Sequence, residues 1–155
     1  MEEQELKTIK ETIEKFLQKM TVDVLTVELN SSLVNNKECV NVDIHIKEPQ
    51  VLIGQSGQTL FELGRLLRII LNKKLQKDFY VDLDINDYKK QKLLYLKKMA
   101  ADLAREVVVT QKEKILPPMP SYERRIIHSE LAGRQDIITQ SHGEGVDRSV
   151  IISPK

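Results

Sequence analysis

Val51-Leu52-Ile53-Gly54-Gln55-Ser56-Gly57-Gln58-Thr59-Leu60 is the stretch on which the fold turns. An apolar triplet runs into two glycines three residues apart, and an amphipathic segment begins directly after them. Glycine takes up positive φ without steric cost, so two of them let a chain reverse within four residues. The spacing therefore predicts two helix ends meeting across Gly54-Gln55-Ser56-Gly57 with little side chain in between. A phosphate chain can approach such a turn closely enough to meet peptide N–H groups and a helix N-terminus.

Upstream, Leu6, Ile9, Ile13, Phe16 and Leu17 recur at spacings of three and four, one face of a helix over Glu5–Met20. Val22–Leu29 and Val40–Ile46 alternate instead, most strictly at Val40, Val42, Ile44 and Ile46. Asn30-Ser31-Ser32 and Asn35-Asn36-Lys37 supply turn residues between them, so a hairpin is predicted. Pro49 stops the second strand. A short helix through Val51–Ile53 enters the glycine turn. A longer one leaves it at Gln58 and runs to about Lys74, with Leu60, Leu63, Leu67, Ile70 and Leu71 inward. Phe79–Ile85 alternates again. The order is α-β-β-α-α-β over residues 5–86.

Downstream, Asn86 or Asp87 caps a helix with a face of Leu93, Leu96, Ala100, Leu103, Ala104 and Val107, ending near Gln111. Leu116-Pro117-Pro118-Met119-Pro120 breaks it. Ser121 starts a short helix to about Ala132, with Glu123 favoured in its first turn by the helix dipole and Gly133 suited to the position after its end. Strands Ile137–Ser141 and Arg148–Ser153 follow, joined by His142-Gly143-Glu144-Gly145. This second unit reads α-α-β-β over residues 87–155. The fold class is α+β throughout.

The 155 residues are 41% hydrophobic and 30% charged, an ordinary globular composition. No run of 18 apolar residues exists, so no membrane insertion is expected. The acidic start Met-Glu-Glu-Gln-Glu has no apolar segment of the kind that opens a secretory signal. Cys39 stands alone, with no Cys/His spacing for zinc and no internal disulfide, and cytoplasmic residence fits. The net charge of +1 is unevenly spread. Residues 1–86 hold 11 Lys/Arg against 14 Asp/Glu, a net −3; residues 87–155 hold 13 against 9, a net +4. The basic second half permits nucleic-acid contact without requiring it.

Set between two helices within α-β-β-α-α-β, the glycine turn resembles the GXXG loop of a type II KH domain. That resemblance implies a clamp for about four nucleotides of a single strand, built on Gly54, Gln55, Ser56 and Gly57. Loops of this kind often carry Lys or Arg between the glycines, whereas Gln55 and Ser56 are neutral hydrogen-bonding groups. Arg65 and Arg68, three apart on the following helix, either flank a bound strand or form a solvated face.

In Pro120-Ser121-Tyr122-Glu123-Arg124-Arg125-Ile126-Ile127-His128, the residues Arg124 and His128 are four apart and share one helix face. A guanidinium fork beside an imidazole makes a phosphate cradle; the structural alternative is an arginine bonded to a carbonyl or Glu and a histidine that only packs. Ile127 and Leu131 share the neighbouring face and hold the helix on its sheet. The stretch resembles the R-3-H domain through the Pro-Met entry and Glu123–His128. The likeness continues into Ser141–Gly145 and Asp147–Ile152. That domain is associated with single-stranded nucleic acid. A KH unit followed by an R-3-H unit is similar to the bacterial Jag family, also called SpoIIIJ-associated protein. The resemblance implies RNA binding, a post-transcriptional role in cell elongation or division and the envelope, and a smaller KH protein as partner. It assigns binding to Gly54–Gly57 with Arg124 and His128; Arg125 and Arg148 join them as neighbouring positive charges. Family members commonly carry an extra N-terminal domain, which this chain is expected to lack.

No acid–nucleophile grouping surrounds His45, His128 or His142, and the Gly-Lys-Ser/Thr ending of nucleotide-binding loops is missing. Asp82 and Asp84 share a strand face that fits solvent better than a metal. Neither an enzyme nor a cofactor is expected. The expected ligand is single-stranded RNA, with single-stranded DNA as the chemical alternative. The rival is a protein–protein adaptor that keeps the folds with little RNA affinity, favoured by the neutral Gln55-Ser56 and the acidic first half.

Overall fold

The computed structural model describes residues 1–155. The chain divides into two compact units, Met1–Lys89 and Lys90–Lys155, each with its own hydrophobic core.

In the first unit the helical period of the opening segment becomes α1 (Glu3–Lys19), burying Ile9, Ile13 and Leu17. A hairpin follows, β1 (Val24–Val34) and β2 (Lys37–Ile46), then α2 (Gln50–Ile53), α3 (Gln58–Leu75) and β3 (Tyr80–Ile85). The sheet order is β1-β2-β3. β1 and β2 are antiparallel, Val27 opposite Ile44. β2 and β3 are parallel, Val40 opposite Val81 and Ile44 opposite Ile85. Parallel neighbours need a crossover, and α2 with α3 supplies it. Val40, Val42, Ile44 and Ile46 point to one face, where they meet the α1 residues and Leu60, Leu63, Leu67 and Leu71 of α3. Ile70 is only half-buried, at the margin of that face.

The hairpin is longer than the alternation suggests. Asn30-Ser31-Ser32 is not a turn but the middle of β1, paired with Asn41, Val40 and Cys39. Asn35 and Asn36 alone make the reversal, at φ 51° and 61°. Two successive left-handed residues form the turn whose twist suits a two-residue hairpin, and asparagine tolerates them best after glycine.

In the second unit α4 (Tyr88–Thr110) buries Leu96, Ala100, Ala104 and Val107. Leu93, expected on this face, is exposed. The next elements are β4 (Lys114–Ile115), α5 (Ser121–Leu131), β5 (Ile137–His142) and β6 (Ser149–Pro154). The expected α-α-β-β is therefore corrected to α-β-α-β-β. β4 is two residues long, too short to show a period, yet it completes an antiparallel sheet of order β4-β6-β5. Leu116 and Met119, around the prolines, are buried in the core with Ile127, Leu131, Val150 and Ile152. Gly133 does not take up the left-handed conformation expected after α5; the positive-φ glycines are Gly54, Gly57, Gly143 and Gly145.

Candidate nucleic-acid interface

The glycine turn sits in the first unit, between α2 and α3. Gly54 has φ 70° and ψ −174°, Gly57 has φ 79° and ψ 11°, and the exposed Ser56 between them is itself left-handed at φ 51°. Space is as limiting as dihedral angle. A Cβ on Gly54 would lie 2.0 Å from Thr59 Oγ1, and one on Gly57 would lie 2.7 Å from Tyr88 Cε1. Both glycines are thus required by contacts that a motif search does not reveal. Gln55 is exposed, and α3 begins without a side-chain cap or an acidic residue in its first turn. The partial positive charge of an 18-residue helix is left open to an anion there. The neighbouring arginines are engaged within the chain. Arg65 pairs with Glu62 at 3.5 Å. Arg68 donates to the Phe79 carbonyl at 3.1 Å, pairs with Asp78 at 3.1 Å and stacks on the Tyr80 ring.

The second set lies on α5. Half-buried Arg124 donates from Nη1 to the Met119 carbonyl at 2.6 Å. The Met119 amide in turn donates to the Arg148 carbonyl at 3.2 Å, so one peptide links α5 to the start of β6. This is the carbonyl bond that the structural alternative anticipated, and it leaves the other guanidinium nitrogens available. His128 is held at both ends of its ring: Nδ1 is 2.8 Å from Thr139 Oγ1 and Nε2 is 2.9 Å from Ser141 Oγ. A hydroxyl donates or accepts, so both the neutral and the protonated imidazole are satisfied in place. Burial, and then the Arg124 charge, hold the imidazole below its ordinary pKa. Arg125 and Arg148 are exposed and form no salt bridge. The arginine at 134 is matched to Asp136 through two bonds and is not available in the same way.

Glu123 has a larger structural role than a helix-end charge. It is 3% exposed, receives the Tyr122 hydroxyl at 3.1 Å and pairs with Lys92 of α4 at 3.3 Å. A buried carboxylate with two partners pins the first turn of α5 to α4, and so fixes where Arg124 emerges. Thr139 and Ser141 were not singled out from sequence. Their signal was present: residues 137, 139 and 141 alternate along β5, which turns both hydroxyls toward α5 with the buried Ile137.

Residues 94–154 are an R-3-H domain. That stretch contains Arg124, Arg125, His128 and Arg148, together with the two hydroxyls that hold the imidazole. Beyond it, the chain is similar to proteins named RNA-binding protein KhpB. The likeness is 38% identity over 136 residues to the Clostridium symbiosum protein, covering 88% of this chain and 59% of that one. It is 38% over 122 residues to the Bacillus subtilis protein, covering 77% and 59%. It is 34% over 129 residues to the Lactiplantibacillus plantarum protein, covering 83% and 39%. The chain thus spans between 39% and 59% of the length of these curated relatives.

Proposed function

We propose that this protein binds single-stranded RNA through two separate patches: the Gly54–Gly57 turn of a type II KH domain and the Arg124–His128 face of the R-3-H domain. The observation that carries it is Arg124 beside His128 on α5, inside the R-3-H match, with the imidazole already fixed by Thr139 and Ser141. The printed name of the relatives supports RNA rather than DNA. The element order α-β-β-α-α-β, with left-handed glycines between α2 and α3, supports the KH reading. Each patch alone is weak, since Gln55 and Ser56 bring no charge. Joined on one chain, they raise each other's effective concentration for a common strand. By family resemblance the role is post-transcriptional and cytoplasmic, touching cell elongation, division and the envelope. A smaller KH protein is the proposed partner, and Phe61, Leu66 and Ile69, exposed on α3, offer it an apolar face.

Fluorescence anisotropy with a labelled single-stranded RNA tests this. Gln55→Asp with Ser56→Asp, and separately Arg124→Ala, are each expected to weaken binding. Contacts to three or four phosphates give log K against log salt a slope of about −2 to −3, at roughly −0.7 per contact. Wild-type affinity unmoved by both changes would refute the assignment of these residues.

The second reading, a protein adaptor, is favoured by one observation. Glu28, Asp43 and Asp84 stand in a single cross-strand row on the outer face of the first sheet, where they repel RNA. An adaptor has no RNA affinity for salt to titrate.

A further inference from the structure

β1 is an edge strand, hydrogen-bonded to β2 on one side only. Its Thr26–Val34 stretch is regular, the one irregularity falling between Val24 and Thr26. It contains no proline, and Glu28 is its only charged residue. These are the devices that ordinarily blunt an edge, and an edge without them is a template for another strand. Beside it runs an open groove of about 750 Å³ between β1 and α1, floored by Leu6, Val27 and Leu29. The charged residues lining that groove carry both signs, Glu3 and Glu28 against Lys7 and Lys10, and none of the four takes part in a salt bridge within the chain.

We propose that a second copy of this chain docks here, β1 against β1 in antiparallel pairing, joining two three-stranded sheets into one. The strand is self-complementary about Asn30. In that register Val27 faces Leu33 of the second copy, Glu28 faces Ser32, Leu29 faces Ser31, and Asn30 faces its own equivalent. Like polarity meets like at each of these positions except Leu29, and no charge opposes a charge. The pairing covers Leu33, which is 74% exposed in the single chain. The α1 stripe fits the same symmetry. Glu3, Lys7 and Lys10 are spaced i, i+4, i+7, acidic at one end and basic at the other, and a two-fold axis reverses the direction of that stripe. Its two signs therefore meet across the axis. An acidic or basic peptide would satisfy one sign and leave the other, which is why a second copy is the occupant chosen. The pairing also doubles the proposed RNA patches in one assembly without depending on them.

Sedimentation equilibrium of the 155-residue chain tests this. The wild type is expected to show a reversible monomer–dimer equilibrium. Leu33→Lys, at an exposed position, is expected to weaken it by about tenfold or more. Lys7→Glu with Lys10→Glu, and Glu3→Lys with Glu28→Lys, should each shift the chain toward monomer. An equimolar mixture of those two variants should recover dimer, while circular dichroism shows each to be folded. A wild type that stays monomeric at high concentration overturns the proposal. So does a dimer that ignores all these changes, or one abolished only by Leu66→Lys on α3.

Discussion

His128 Nε2 lies 2.9 Å from the Ser141 hydroxyl, with its other nitrogen on Thr139, so the imidazole is positioned before any ligand arrives. Burial and Arg124 hold it below its ordinary pKa in the free protein, whereas a phosphate favours the protonated ring. Binding therefore takes up a proton. RNA affinity is expected to rise as pH falls from neutral toward 5.5, and the rise should flatten in His128→Gln; anisotropy titrations across that range read it directly. Stability moves the other way. The unfolded chain protonates first as pH drops below the ordinary histidine value of about 6.5, so the unfolded state gains protons the folded state resists. The His128 contribution is complete above that pH and is lost as pH falls through the lower folded value. A urea midpoint that drops less steeply with acid in His128→Gln is the expected sign.

Gly57→Ala meets two obstacles, φ 79° and the Tyr88 ring at 2.7 Å. The expected cost is about 1–3 kcal/mol by urea denaturation. Because the ring can move and the dihedral cannot, Gly57→Ala with Tyr88→Ala should recover only the steric share.

Lys92 and Glu123 form a pair in which the acid is almost wholly covered. Removing the lysine leaves a buried carboxylate with only the Tyr122 hydroxyl. Lys92→Ala is expected to cost roughly 3 kcal/mol, the usual scale for orphaning a buried charge. Glu123→Gln should cost less, since the amide still accepts a hydrogen bond and the half-covered lysine can reach water. Reversal of that order in denaturation midpoints would show that the pair does not anchor α5.

Asn36 turns the β1–β2 hairpin at φ 61°. Glycine has no penalty there, so Asn36→Gly is expected to raise stability by about 0.5 kcal/mol. The change is remote from Gly54–Gly57 and α5, and RNA affinity should not follow it.

Period and punctuation alone located α1, β2, α3, β3, α4 and α5, because each has a one-sided apolar face long enough to repeat. The same local rules misjudged Asn30-Ser31-Ser32, whose polar side chains look like a turn but are drawn into β1 by pairing with β2. They missed β4, whose two residues carry no period, and they assigned Gly133 a left-handed role that it does not play. At the candidate interface, the residue types and spacings of Gly54–Gly57 and Arg124–His128 were legible. Their partners were not: Tyr88 over Gly57, Met119 under Arg124, Thr139 and Ser141 on His128, and Lys92 beneath Glu123 lie from two to 31 residues away in the chain. Local geometry follows from neighbours along the backbone and so can be read in order. Which hydroxyl meets which ring nitrogen, and which edge is left unpaired, depends on strand register and core closure, and only the folded chain decides those.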